Sequence, residues 1–182
     1  VGMPFPGVTV KIAEDDEILV KGRNVFLGYY KDEAATNDAL SDGWLHSGDL
    51  GKFDEDGYLH IIGRKKDIII TAGGKNITPK NLESTIKNMP FVHEVVVIGD
   101  RRKYLTALIS VDDDARAKYS EENGVAPGAV HEDAALQAAF QKGIDSLNST
   151  VARVEQIKKF RILPRPLTIE DKELTPTLKV KR

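Results

Sequence analysis

The sequence predicts an α+β fold laid out in two parts, and three observations carry that expectation. Up to about residue 62 the apolar residues recur in short, alternating, strand-like runs with little helical spacing. Beyond Gly63, β-branched strands are interleaved with segments whose apolar residues recur every three or four positions. Between the two lies GRKKD at residues 63–67, a charged stretch that would stay solvated and suits a linker whose backbone can rotate.

Taken in order, Val8, Val10 and Ile12 alternate with Thr9 and Lys11, as a half-buried strand does. An acidic turn at residues 14–16 leads to a second strand over 17–20, so residues 8–20 read as a hairpin. Residues 31–40 have helical composition with a thin apolar face (Ala34, Ala35 and Leu40). Strands at 51–53 and 58–62 flank the turn Asp54-Glu55-Asp56-Gly57. This first part has too few large apolar residues for a convincing core of its own.

In the second part, residues 67–71 read as a strand that turns at Gly73-Gly74 and returns through 75–78. Thr78 is placed to cap a helix with Pro79 at its first position; Leu82, Ile86 and Met89 share one face and Pro90 stops it. Two strong strands, 92–98 and 104–111, are joined by a charged turn, and a short helix over 114–123 ends at Gly124. From Glu132 on, Leu136, Phe140, Ile144, Leu147, Val151 and Val154 predict an amphipathic helix of several turns. A last strand at 157–163 precedes a Pro-containing tail. The expected layer is a three-stranded sheet covered by helices, with a β-hairpin at its entrance.

Composition narrows the function. Against 28 acidic residues stand 26 basic ones, a net charge of −2 that gives no reason to expect a nucleic-acid partner. The basic excess is local: nine basic and four acidic residues lie from Val151 to the end. Cysteine is absent, which excludes disulfides and thiolate chemistry and suits a reducing, cytoplasmic compartment. His46, His60, His93 and His131 are scattered without ligand spacing, so no metal site is expected. No apolar run reaches membrane-spanning length. The chain opens at Val1 inside a Pro/Gly-rich loop and ends on Lys-Val-Lys-Arg with no closing element, so both ends are expected to be cuts in a longer protein.

Three segments carry chemistry. In WLHSGDL (residues 44–50) the Gly48-Asp49 pair gives a tight bend from which a carboxylate projects, able to accept both hydroxyls of a ribose. In GRKKDIIITAGGKN (63–76), Arg64 supplies a rigid fork of donors for ribose or phosphate oxygens. The Gly73-Gly74 pair there allows positive φ or close backbone approach to a ligand. In LTPTLKVKR (174–182), Pro176 keeps the segment out of a helix, and its lysines could bridge a carboxylate and a phosphate oxygen. Read singly, these are also a common turn, a plain hairpin and a basic tail.

Their order and spacing, with GMPFPG near the start and NVFLGYYKDEAAT at 24–36, resemble the acyl-CoA synthetase branch of the adenylate-forming (AMP-binding) superfamily over essentially the whole chain. TAGGKNITPKNLE and LTPTLKVKR look most like the long-chain fatty acid–CoA ligases. The resemblance implies that residues 1–65 are the strand-rich C-terminal edge of a large ATP-binding domain and 66–182 a small lid domain. Asp49 matches the aspartate that binds the ribose hydroxyls, Arg64 the arginine that also contacts the ribose, and Lys66 the hinge. Gly74, beside Gly73, matches the glycine facing the pantetheine channel, and Lys179 the lysine of adenylation. The family's usual Ser-Gly before that lysine is replaced by Thr177-Leu178. Lys181 therefore remains an alternative, although spacing to Arg182 favours Lys179.

No Ser/Thr/Gly-rich triphosphate loop occurs here, and in the family the acyl and adenine pockets lie upstream. The chain is thus expected to be the C-terminal part of a fatty acid–CoA ligase that uses ATP, Mg2+ and CoA, inactive without its N-terminal adenylation domain. A long-chain substrate is compatible with peripheral membrane contact. Loading of a carrier protein, another acyl substrate, or a non-catalytic lid-like binding module are the other readings.

Overall fold

The computed structural model describes residues 1–181; Arg182, the last residue of the lysine motif, lies outside the described residues. The backbone divides after Ile68 into two compact units.

The first unit is a sheet. Strands β1 (Val8–Ile12) and β2 (Glu17–Gly22) pair antiparallel, with Val8 opposite Gly22 and Ile12 opposite Ile18. Helix α1 (Glu33–Ala39) is capped by the Asp32 carboxylate, which accepts the Ala35 N–H at 2.9 Å, and buries none of its residues. Strand β3 (Leu40–Ser41), the ten-residue β4 (Trp44–Phe53) and β5 (Leu59–Arg64) complete a five-stranded sheet. In it β4 lies between β2 on one side and β3 and β5 on the other.

In sequence only residues 51–53 stand out as the strand before the acidic turn. The structure extends that strand back to Trp44, because an irregularity at residues 47–49 breaks the alternation that would have revealed it. Gly51 lets the sheet close: a Cβ there would lie 2.6 Å from Ile18 Cδ1 and 2.8 Å from the His60 carbonyl oxygen. Only Ile18, Leu19 and Leu50 among this unit's large apolar residues are buried, whereas Phe5, Leu27 and Tyr30 are exposed.

The second unit opens with a small hairpin, β6 (Ile69–Ile70) paired with β7 (Asn76–Ile77). It continues with α2 (Pro79–Lys87), β8 (Glu94–Ile98), β9 (Leu105–Ser110), α3 (Asp113–Asn123), α4 (Ala134–Asn148) and β10 (Ile157–Ile162). The sheet has three strands in the order β10-β9-β8, with β10 parallel and β8 antiparallel to β9. Ile86 of α2, Val97 of β8, Leu105 and Ile109 of β9, and Leu136, Phe140 and Ile144 of α4 belong to one buried cluster. That is the expected α+β layer, and this unit has the core that the first lacks.

Three expectations need correction. Asp67 is not in the hairpin strand but in a 3-10 turn (Lys65–Asp67), and the β6–β7 pairing is only two residues long. Thr78 occupies the N-cap of α2 without a side-chain hydrogen bond. Helix α4 ends at Asn148 instead of continuing through Val154. The Asn148 side chain grips the incoming strand, accepting the Ile157 N–H at 2.8 Å and donating to the Ile157 carbonyl at 2.9 Å. Val151 still packs against the core from the connecting turn, which is why the apolar pattern outlasts the helix.

Candidate active-site segments

The first segment is the bend at Ser47-Gly48-Asp49. Glu17 of β2 is opposite Leu50 and Leu19 is opposite His46, so residues 47–49 bulge from β4 against Ile18 alone. Gly48 has φ +70°, a conformation that disfavours a side chain. The Ser47 hydroxyl donates to the Ile18 carbonyl at 2.7 Å and accepts the Asp49 N–H at 3.1 Å. A residue that the sequence pattern does not single out completes the bend. The Glu17 side chain, only 5% exposed, accepts the Gly48 N–H at 2.9 Å and faces His46 Nδ1 and the Lys65 ammonium, each at 3.1 Å.

Burial alone would raise the Glu17 pKa. Hydrogen bonds from His46, Lys65 and the Gly48 N–H outweigh that and hold the carboxyl below its ordinary value. Lys65 also pairs with Asp15 at 2.6 Å, and the hydrogen bonds to Asp15 and Glu17 raise its pKa. One buried carboxylate therefore ties the Asp49 bend to the residue between Arg64 and Lys66. Glu17 begins an apolar strand directly after an acidic turn, and in sequence it looks like one more solvated acid.

Asp49 and Arg64, singled out separately in the sequence, are register partners on β4 and β5. Arg64 Nε donates to Asp49 Oδ1 at 3.0 Å. Asp49 Oδ2 and the two terminal guanidinium nitrogens have no protein partner among the described residues. Both side chains are accessible, 34% and 53% exposed. An ion pair this exposed contributes at most about 1 kcal/mol. Its unspent acceptor and donors are what the site offers a polar ligand such as a vicinal diol. Glu17, His46, Gly48, Arg64, Lys65 and Lys66 help line a cleft of about 650 Å³. Lys66 itself is exposed in the 3-10 turn.

The second segment is the turn between β6 and β7. Thr71 N–H donates to the Lys75 carbonyl at 3.1 Å, and Gly74 N–H to the Thr71 carbonyl at 2.9 Å. Gly74 has φ +77°, so the turn itself favours glycine there. Gly73 has no such φ, and a Cβ at either glycine would meet nothing within 4 Å. Neither glycine is required by packing against the described residues.

The third segment is a hairpin over residues 174–180. Buried Leu174 anchors its base and pairs with Val180. Leu178 N–H donates to the Thr175 carbonyl at 2.9 Å, closing a turn with Pro176 at its second position. Leu178 follows at φ +57° and is 65% exposed. A turn followed by a left-handed residue is the three-residue hairpin loop that ordinarily takes glycine at this point. The departure Thr177-Leu178 is therefore a leucine held in a glycine conformation. Lys179, next in the chain, is exposed, and its ammonium has no ion-pair partner among the described residues. Lys181 follows the hairpin, its N–H donating to the Glu173 carbonyl at 2.8 Å.

Among the described residues no group of three acidic, histidine or cysteine side chains could hold a metal ion, and no helix is long and apolar enough to cross a membrane.

The family described as AMP-binding enzyme C-terminal domain matches residues 66–182. The chain belongs to this family. It is 45% identical, over its whole length, to the long-chain-fatty-acid–CoA ligase FadD15 of Mycobacterium tuberculosis, spanning 31% of that protein. It is 36% identical to the long-chain-fatty-acid–CoA ligase ACSBG2 of Xenopus laevis, spanning 28% of it. Among solved structures, the O-succinylbenzoate coenzyme A synthetase (MenE) of Bacillus subtilis in complex with AMP matches with a TM-score of 0.67 at 27% identity. That match covers 98% of this chain and 33% of the synthetase. The chain thus spans about a third of the length of the relatives it resembles.

Proposed function

We propose that this chain is the C-terminal part of an ATP-dependent, AMP-forming long-chain fatty acid–CoA ligase, acting with a preceding adenylation domain and inactive alone. The observation that carries this is the 45% identity, across the whole chain, to a protein named as such a ligase. Domain limits of 1–65 and 66–182, with the hinge at Lys66, are part of the proposal; the family match beginning at residue 66 supports them.

In the first half-reaction a fatty acid carboxylate oxygen attacks the α-phosphorus of ATP, forming the acyl–phosphate bond and expelling pyrophosphate. Asp49 accepts hydrogen bonds from the ribose hydroxyls, and Arg64 donates to the ribose oxygens. The Lys179 ammonium bridges carboxylate and phosphate oxygens and offsets the charge that develops at phosphorus. Mg2+ enters with the triphosphate. In the second half-reaction the CoA sulfur attacks the acyl carbonyl and AMP leaves. The space beside Gly73 and Gly74 suits a thin pantetheine arm. The two steps need different groups about one adenylate, and rotation near Lys66 would supply them in turn. ATP and CoA as cosubstrates favour a cytoplasmic site, with the membrane surface as the source of long-chain acid.

The test is ATP–pyrophosphate exchange in the intact enzyme. Lys179→Ala is expected to lower exchange by at least about a hundredfold, with Lys181→Ala within about threefold of wild type. Normal exchange in Lys179→Ala with loss in Lys181→Ala would reassign the lysine. Acylation of a carrier protein, with no acyl-CoA formed, would overturn the choice of acceptor.

A further inference from the structure

We propose that Thr175 is the positioning residue for Lys179; this rests on the role of Lys179 given above. The two residues are joined across the hairpin at both of the lysine's backbone groups. Thr175 N–H donates to the Lys179 carbonyl at 2.7 Å, and Thr175 Oγ1 accepts the Lys179 N–H at 3.0 Å. The third polar group, the Thr175 carbonyl, accepts from Leu178 at 2.9 Å. Thr177 Oγ1 lies 3.0 Å from Thr175 Oγ1 and completes the hydroxyl's hydrogen bonding. Every polar group of Thr175 is thus engaged in the loop that ends at Lys179.

The loop needs such a tie. Leu178 is held at φ +57°, where an L side chain is disfavoured, so the segment has a local reason to open. Lys179 is a flexible four-carbon stem on an exposed tip, with no ion pair among the described residues to direct it. Fixing its N–H and C=O fixes its Cα and the direction in which the stem leaves. In catalysis by positioning, an error of about 1 Å can cost a hundredfold in rate. A β-branched residue alone would fill the same space, and the hydroxyl is what reaches the lysine amide.

The experiment uses the intact enzyme with each half-reaction read separately. Thr175→Val keeps the shape and the backbone N–H but deletes the hydroxyl, Thr175→Ser keeps the hydroxyl, and Lys179→Ala is the control. Thr175→Val is expected to lower the kcat of ATP–pyrophosphate exchange by about tenfold to a hundredfold, with the KM for ATP little changed. Thioester formation from supplied acyl-adenylate and CoA stays at the wild-type rate, and Thr175→Ser recovers exchange to within about threefold. If Lys179→Ala leaves exchange intact, the underlying reading of Lys179 fails. If Lys179→Ala abolishes exchange while Thr175→Val leaves it unchanged, the positioning role is overturned. Equal loss in both half-reactions, or no rescue by serine, would likewise overturn it in favour of a merely structural threonine.

Discussion

The Ser47-Gly48-Asp49 bend and the hairpin carrying Lys179 are both irregular, and both hold a residue at positive φ, yet they are secured differently. The bend sits within a sheet strand and is clamped by a buried carboxylate from a residue distant in sequence. The hairpin stands on one buried leucine, and its tip is held by bonds to a neighbour four residues away. The first arrangement resists local opening because disturbing it leaves a buried charge short of partners. The second can open without exposing core. A carboxylate proposed to hold a ribose gains from rigidity, whereas a lysine proposed to serve one half-reaction and withdraw for the next is suited to an autonomous tip.

The largest effect that sharpens this contrast is expected at Glu17. Glu17→Gln keeps one acceptor oxygen but loses the charge facing Lys65, and should destabilise the chain by about 2 kcal/mol near neutral pH in urea denaturation. Because the folded carboxyl is held below its ordinary value of 4.5, its contribution is complete above that pH. It is lost as pH falls through the lower folded value. The gap between wild type and variant should therefore close in acid, and a gap that persists undiminished would show that charge is not what holds the bend.

A smaller effect is expected at the hairpin. Leu178→Gly removes the left-handed strain and should slow amide exchange at Lys179 by an amount worth about 1 kcal/mol or less. Faster exchange would mean that the leucine side chain itself braces the tip.

The second unit was readable from sequence because its pattern and its packing agree: Leu82 and Ile86, then Leu136, Phe140, Ile144 and Leu147, are all buried where their spacing puts them. The end of α4 was not, because the apolar spacing continues through Val151 to Val154 while a tertiary bond from Asn148 to Ile157 turns the chain. In the first unit, Asp49 and Arg64 stood out as residue types, but their pairing depends on strand register, which no local pattern encodes. Glu17 was hidden for the same reason: its burial arises from a contact with Gly48, 31 residues away. Thr175 lay in plain view within LTPTLKVKR, but its bonds depend on the turn that Pro176 and Leu178 make together.

The central claim is that the two segments serve different parts of one reaction, and the most direct measurement compares Asp49→Ala with Lys179→Ala in the intact enzyme across both half-reactions. The Asp49 variant is expected to be impaired in adenylation and in thioester formation alike, since Asp49 is proposed to hold the ribose in both. The Lys179 variant should lose adenylation and keep thioester formation from supplied acyl-adenylate. If the two variants instead lost the same half-reactions to the same degree, the division of labour drawn here would be wrong.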